Sequence, residues 1–168
     1  PRLHTLRVSN FRSIGPSPVE IELDDIVVLV GPNNAGKSSL LRAYEVVMEH
    51  GSNEGKLGLD DFPNGDSNLR PTIELESGVF EKTAPGEKWV RTDPQTNEMF
   101  VREKWTWSEP GPPKKVGWEV ATNDWHATEG PWGAPNVAQA YRPKPHHITA
   151  FQDPIAQAKQ VAEILTGL

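Results

Sequence analysis

The chain has 168 residues, 36% hydrophobic and 24% charged, with a net charge of -6, enough for one domain with its own core and too acidic for a strong non-specific nucleic-acid binder. It has no cysteine, which excludes disulfides and thiolate-ligated zinc or iron-sulfur sites. No apolar run approaches the roughly 18 residues of a membrane span, and the N-terminus lacks the apolar core of a signal peptide. The expectation is a cytoplasmic protein, with Pro1 as the residue that removal of an initiator methionine leaves. With 16 Pro and 14 Gly, it should be a loop-rich α/β body with many turns.

In chain order, Leu3, Leu6 and Val8 give an imperfect alternation, read as a strand ending at Asn10-Phe11-Arg12. After the turn-rich Gly15-Pro16-Ser17-Pro18, Val19, Ile21 and Leu23 alternate with Glu20, Glu22 and Asp24, the pattern of a strand with one wet face. Asp24-Asp25 makes the next turn. Ile26 to Val30 is continuously apolar and β-branched, as expected of a strand buried on both faces.

There follows Gly31-x4-Gly36-Lys37-Ser38, within GPNNAGKS. This is the Walker A pattern, whose glycines let backbone N-H groups converge on phosphate oxygens at the start of a helix. Lys37 would bridge the β and γ phosphates of ATP, and the Ser38 hydroxyl would ligate Mg2+. Lys37 to His50 carries Leu40, Leu41, Tyr44, Val47 and Met48 at helical spacing, and Gly51 ends it. The pattern therefore stands in the strand-loop-helix context that it requires.

Residues 51 to 71, rich in Gly, Asn and Asp, read as an excursion over the surface. An antiparallel meander is expected beyond, with strands Thr72 to Glu81, Lys88 to Thr92, Glu98 to Trp107 and Lys115 to Ala121. The turns between them are Ala84-Pro85-Gly86, Asp93 to Asn97 and Pro110 to Pro113. Residues 123 to 145 have no period and read as loop, and His147 to Phe151 as a short strand. Asp153-Pro154 is a helix start, opening an apolar-periodic segment through Ile155, Ala158, Val161, Ala162 and Leu165.

The segments LHTLRVSNFRSIG, IELDDIVVLVGPNNAGKSSLLRAYEVV and RPTIELES resemble, in order and spacing, the N-terminal lobe of the SMC/RecF branch of ABC-type ATPases. Within that branch GPNNAGKSSLL is most similar to the OLD (overcoming lysogenization defect) family of ATP-dependent nucleases. The resemblance implies an ABC/SMC-type N-lobe: a mixed β-sheet around the phosphate-loop helix plus an antiparallel β subdomain. It divides one lobe over 1–168 into a phosphate-loop core of about 1–50, a meander of about 71–122, and a loop with the start of a helical arm at about 123–168.

It also implies site roles. Gly31, Asn33, Asn34, Ala35, Gly36, Lys37, Ser38 and Ser39 would hold ATP, with Asn33 facing the γ phosphate and Ser39 reaching the α phosphate. Asn34 stands where many ABC loops have Gly, a departure shared by OLD-like loops. Arg12 matches a basic residue placed near the phosphates, and Gln152 a glutamine that touches magnesium and the attacking water. Arg12 also reads as an exposed strand-end arginine, and Gln152 as an ordinary loop residue.

Hydrolysis in this class needs an apolar strand ending in Asp-Glu, a signature segment and a switch histidine. None is found within the sequence, so no catalytic residue is assigned, and the chain reads as a fragment that ends as the helical arm begins. The resemblance implies a C-terminal ATPase lobe, a Toprim nuclease domain with an acidic two-metal site, DNA as substrate, and a homodimer through the ATPase heads or the arm, with a role in phage defence. The rival readings are a DNA-repair or chromosome-organising ATPase of the same branch without a nuclease, a phosphate-loop kinase for a small substrate, and a nucleotide-dependent interaction module.

Three further patterns have simpler readings. The six Trp residues read as meander core, with a base-stacking or partner surface as the alternative; Trp105 and Trp107 share a face if their segment is a strand. His146-His147 point to opposite sides of a strand and lack a third metal ligand. Asp24-Asp25 and Asp60-Asp61 read as solvated turn carboxylates.

Overall fold

The computed structural model describes residues 2–24, 26–33, 35–140, 142–145, 158–159 and 161–163. Among the described residues, seven strands form the sheet: β1 (Arg2–Ser9), β2 (Val19–Glu22), β3 (Thr72–Val79), β4 (Arg91–Thr92), β5 (Met99–Thr106), β6 (Lys114–Glu119) and β7 (Asp124–Trp125). Their order is β2-β1-β3-β5-β6-β7, with β4 also pairing β5. Every one of these pairings is antiparallel. The helix α1 (Lys37–Met48) and the short α2 (Pro135–Ala140) accompany the sheet, and the described residues 158–159 and 161–163 are helical as well.

The uneven spacing of Leu3, Leu6 and Val8 has a structural cause. The β1–β3 register shifts between Leu3 and Thr5, so a bulge brings residues an odd number apart onto one side. Along β3, burial alternates strictly, with Ile73, Leu75, Ser77 and Val79 inward. The buried face packs with α1 into a core that includes Leu6, Val8, Ile73, Leu75, Trp105 and Trp107, together with Leu40, Ala43, Val46 and Val47 of the helix. A smaller cluster gathers Val79, Trp89 and Val101. On the opposite face, Glu20, Arg7, Glu74 and Lys104 stand in register across four strands, a row of alternating charge that suits a wet face.

Several expectations need correction. The largest concerns Ile26 to Val30, read as a buried central strand. It has no strand assignment, and Ile26, Val28 and Val30 are 83%, 74% and 87% exposed. Among the described residues no strand pairs with this segment, so its backbone lacks the ladder that defines a strand, and the sheet is antiparallel rather than mixed. On α1 the inward stripe includes Ala43 and Val46, while Leu41 faces out. The stretch 51–71 is not merely superficial: Leu57, Phe62 and Asp61 are buried, and Leu57 exchanges both backbone hydrogen bonds with Gly111. The expected strand at 88–92 is a 3-10 turn (Glu87–Trp89) and the two-residue β4. The region read as loop contains β7 and α2.

Trp105 and Trp107 are fully buried on one face, as core packing requires. The expectations at His146, His147, Gln152 and the strand 147–151 lie outside the described residues, as does most of the expected C-terminal helix.

Candidate functional site

The site begins with the backbone of Gly36. Its φ of 84° and ψ of 3° place it in the left-handed region as the N-cap of α1, a conformation that costs glycine little. No side chain caps the helix and its first turn holds no acidic residue. The free amide groups and the positive dipole end are therefore left for an anion.

Lys37 folds back over the loop, its Nζ donating to the carbonyl oxygens of Gly31 and Pro32 at 2.6 Å each. The loop closes on itself through Ala35 N-H to Pro32 O at 3.2 Å. Asn33 and Ser38 are exposed, so the Ser38 hydroxyl at the helix start is accessible to a cation. Asn34 lies outside the described residues. Ser39 is buried instead, and its hydroxyl lies 2.8 Å from that of Ser13.

That contact ties the loop to the turn after β1. Phe11 and Ile14 exchange two backbone hydrogen bonds, with Asn10 and Arg12 both at positive φ. The turn comes so close to the loop that a Cβ on Gly36 would stand 3.6 Å from Ile14 and 3.8 Å from the Ser13 hydroxyl. The structure thus brings the Arg12 turn against the start of α1. The guanidinium itself is held by Asp61, Nε to Oδ1 at 3.0 Å. Asp61 also accepts from Gly58 N-H at 3.1 Å and lies 3.8 Å from Arg42.

Asp61 is therefore a buried, paired carboxylate and not the solvated turn residue expected from sequence, whereas Asp24 and Asp60 are exposed. Asp60 stands in the same apolar stretch and is exposed, so no local pattern set Asp61 apart. The Ser13–Ser39 contact spans 26 residues and leaves no local pattern. Among the described residues, no group of three or more His, Asp or Glu side chains could hold a metal ion, and no helix is long and apolar enough to cross a membrane.

A glycine-led, uncapped helix behind a lysine-closed loop, set against an antiparallel sheet, is suited to holding an anion such as a phosphate group. The chain belongs to the AAA ATPase domain family, which it matches over residues 2–102.

It is also similar to an uncharacterized protein of Mycobacterium bovis and to uncharacterized proteins of two Mycobacterium tuberculosis strains. Each is 30% identical over 81 residues, 47% of this chain. The match spans only 9% of the length of those relatives. Among solved structures, the fold matches a chain from work titled "Structural biochemistry of ATP-driven dimerization and DNA stimulated activation of SMC ATPases". The TM-score is 0.53 at 15% identity, covering 98% of this chain and 99% of that one. At that identity the likeness is one of fold, and the fold is SMC ATPase-like.

Proposed function

We propose that this chain is the ATP- and Mg2+-binding N-terminal lobe of an OLD-like ATPase that, in a longer protein, controls a Toprim DNA endonuclease, with phage defence as its setting. The observation that carries nucleotide binding is the uncapped start of α1 behind left-handed Gly36, with Lys37 lying over the loop. The residues proposed to hold the phosphates are Gly31, Asn33, Asn34, Ala35, Gly36, Lys37 and Ser39, with Arg12 near them and Ser38 as the ligand of magnesium. Gln152 is proposed as a second magnesium contact. The metal would neutralise phosphate charge.

The exposed Ile26, Val28 and Val30 support a second lobe as partner, since an apolar β-branched segment is suited to strand pairing and no strand among the described residues pairs with it. The dimer of ATPase heads is proposed by analogy with the ATP-driven dimerization named for the structural neighbour. That neighbour also favours a second reading, an SMC/RecF-type repair ATPase without nuclease activity. An acidic Toprim cluster in the sequence beyond this lobe would decide for the first, and a long heptad run for the second. Membership of an ATPase family weighs against a small-molecule kinase.

Calorimetric titration of the 168-residue chain with MgATP should give a saturable heat that Lys37→Ala abolishes while the variant stays folded. Equal binding by the variant would sink the reading. The chain alone should hydrolyse ATP negligibly, because no catalytic carboxylate is assigned to it. Lys37-dependent turnover by the purified chain would overturn that second claim.

A further inference from the structure

Glu103 is a carboxylate at a core position. The register sets it opposite Leu75, and along β5 it shares the inward face with buried Val101 and Trp105. Two cations reach the same oxygen: Arg142 donates from Nη2 at 2.7 Å and Lys115 from Nζ at 3.1 Å. The three side chains are 2%, 3% and 6% exposed, respectively. Two buried cations thus face one buried anion. The second Lys115 hydrogen bond goes to a neutral acceptor, the Pro131 carbonyl at 2.9 Å, which leaves the excess charge in place.

The cluster also holds unpaired groups. Among the described residues, Arg142 Nε and Nη1, His50 Nδ1 and Trp105 Nε1 are buried without a hydrogen-bond partner. The Arg142 guanidinium lies 5.0 Å from the centre of the Trp105 ring, and the His50 ring 6.1 Å from it. The Arg142 and Trp105 nitrogens are orphaned buried donors, which are costly, and an uncompensated buried charge is costlier, so the arrangement calls for negative charge.

A cavity of about 500 Å³ opens beside it, bordered by His50, Trp89, Lys115, Thr128, Gly130 and Pro135. Its walls depend on two glycines. A Cβ on Gly117 would stand 2.8 Å from the Trp89 ring and 2.5 Å from Pro131, and one on Gly130 would stand 2.9 Å from Lys115 Cε. Among the described residues, the carboxylate on the border is that of Glu129, and it is turned to Lys88 at 2.6 Å. The volume falls within the range of about 300–1,000 Å³ typical of small-molecule sites. His50 follows the C-terminal end of α1, so the helix, about 18 Å long, separates this cavity from the phosphate loop at its other end.

We propose that the cavity binds a small organic oxyanion, a carboxylate or a phosphate ester. Its acid group pairs with Lys115 at the edge of the Glu103–Arg142 cluster, and its apolar body lies along Trp89 and Pro135. The site is distinct from the nucleotide cradle, and its occupant supplies the charge that Glu103 alone does not.

The test is a 1H-15N NMR titration of the 168-residue chain with inorganic phosphate and, separately, with benzoate, a carboxylate with an apolar ring. Because a phosphate loop can also take phosphate, the same titrations are run on Lys37→Ala. At least one probe should give saturable shifts at the Trp89 and Trp105 indoles and at His50, with a Kd of about 1 mM or tighter. The shifts should persist in Lys37→Ala and weaken at least about tenfold in Lys115→Met, the loss of roughly one charge-assisted hydrogen bond. Should Lys115→Met fail to fold, the maps of the wild type and Lys37→Ala decide. Shifts confined to residues 31–39, no saturable shift with either probe, or undiminished affinity in folded Lys115→Met would overturn the proposal.

Discussion

Arg12 and Asp61 hold each other twice. The Arg12 backbone N-H donates to the Asp61 carbonyl at 2.9 Å, while the Arg12 Nε lies 3.0 Å from the Asp61 carboxylate. The pair joins the turn beside the phosphate loop to a segment 49 positions on, and it fixes Arg12 in a left-handed conformation (φ 51°) that a non-glycine residue adopts only with support. Asp61→Ala removes a buried acceptor from Gly58 as well as the counter-ion of Arg12. It should lower the free energy of unfolding by about 1–3 kcal/mol in urea titrations. Asp61→Asn retains an acceptor oxygen and should cost less. A loss within error for Asp61→Ala would show that Arg12 and Asp61 are held by something else.

The Ser13–Ser39 contact should behave as a coupled pair. With Ser39 buried and the hydroxyls 2.8 Å apart, each alanine substitution removes the same bond, so the double variant should cost less than the sum of the singles. The expected coupling is about 0.5–1.5 kcal/mol in a double-mutant cycle of denaturation. Additive losses would mean that the two hydroxyls do not bond in solution.

What could be read from the sequence was what local pattern encodes. The loop needed only glycines and a lysine at fixed spacing, and α1 needed only apolar periodicity. The turn at Asp93–Asn97 forms as expected because the Asp93 carboxylate caps the N-H groups of Gln95 and Thr96, a local interaction. The relationships that join distant segments left no such trace. Leu57 with Gly111, Ser13 with Ser39, and Glu103 with Arg142 depend on how segments meet. Periodicity also placed Glu103 on an inward face without giving its partners. The alternation on β1 looked irregular because a bulge is written in the pairing of two strands and not in either alone.

Stability should fall in mild acid through His50. Burial, followed by the nearby Arg142 and Lys115, lowers its pKa to about 4, with Glu103 opposing the shift. The folded chain keeps this imidazole neutral where the unfolded chain, at an ordinary value of about 6.5, takes up a proton. The contribution is therefore fully present above about pH 6.5, is lost as pH falls towards 4, and is constant below that. Its size is on the order of 3 kcal/mol. His50→Gln should flatten this part of the stability profile, measured as urea midpoint against pH. An unchanged slope between pH 6.5 and 4 would mean that His50 titrates as an exposed residue does.

The segment Ile26–Val30 makes opposite predictions for this chain and for the longer protein proposed above. Here Val28 and Val30 are 74% and 87% exposed, so replacing either with lysine removes little buried area. Val30→Lys should change the unfolding free energy by less than about 0.5 kcal/mol and should raise solubility by breaking an apolar patch. A buried central strand would instead suffer severely, since an unpaired lysine there must lose its hydration. If a second lobe pairs with this segment, the same substitution in the longer protein should abolish ATP turnover and lobe association while nucleotide binding by the isolated chain persists. Measuring denaturation of the chain beside turnover of the longer protein separates the two roles. A large loss of stability in the chain alone would show that the segment is already buried there, and undiminished turnover in the longer protein would show that no strand pairing depends on it.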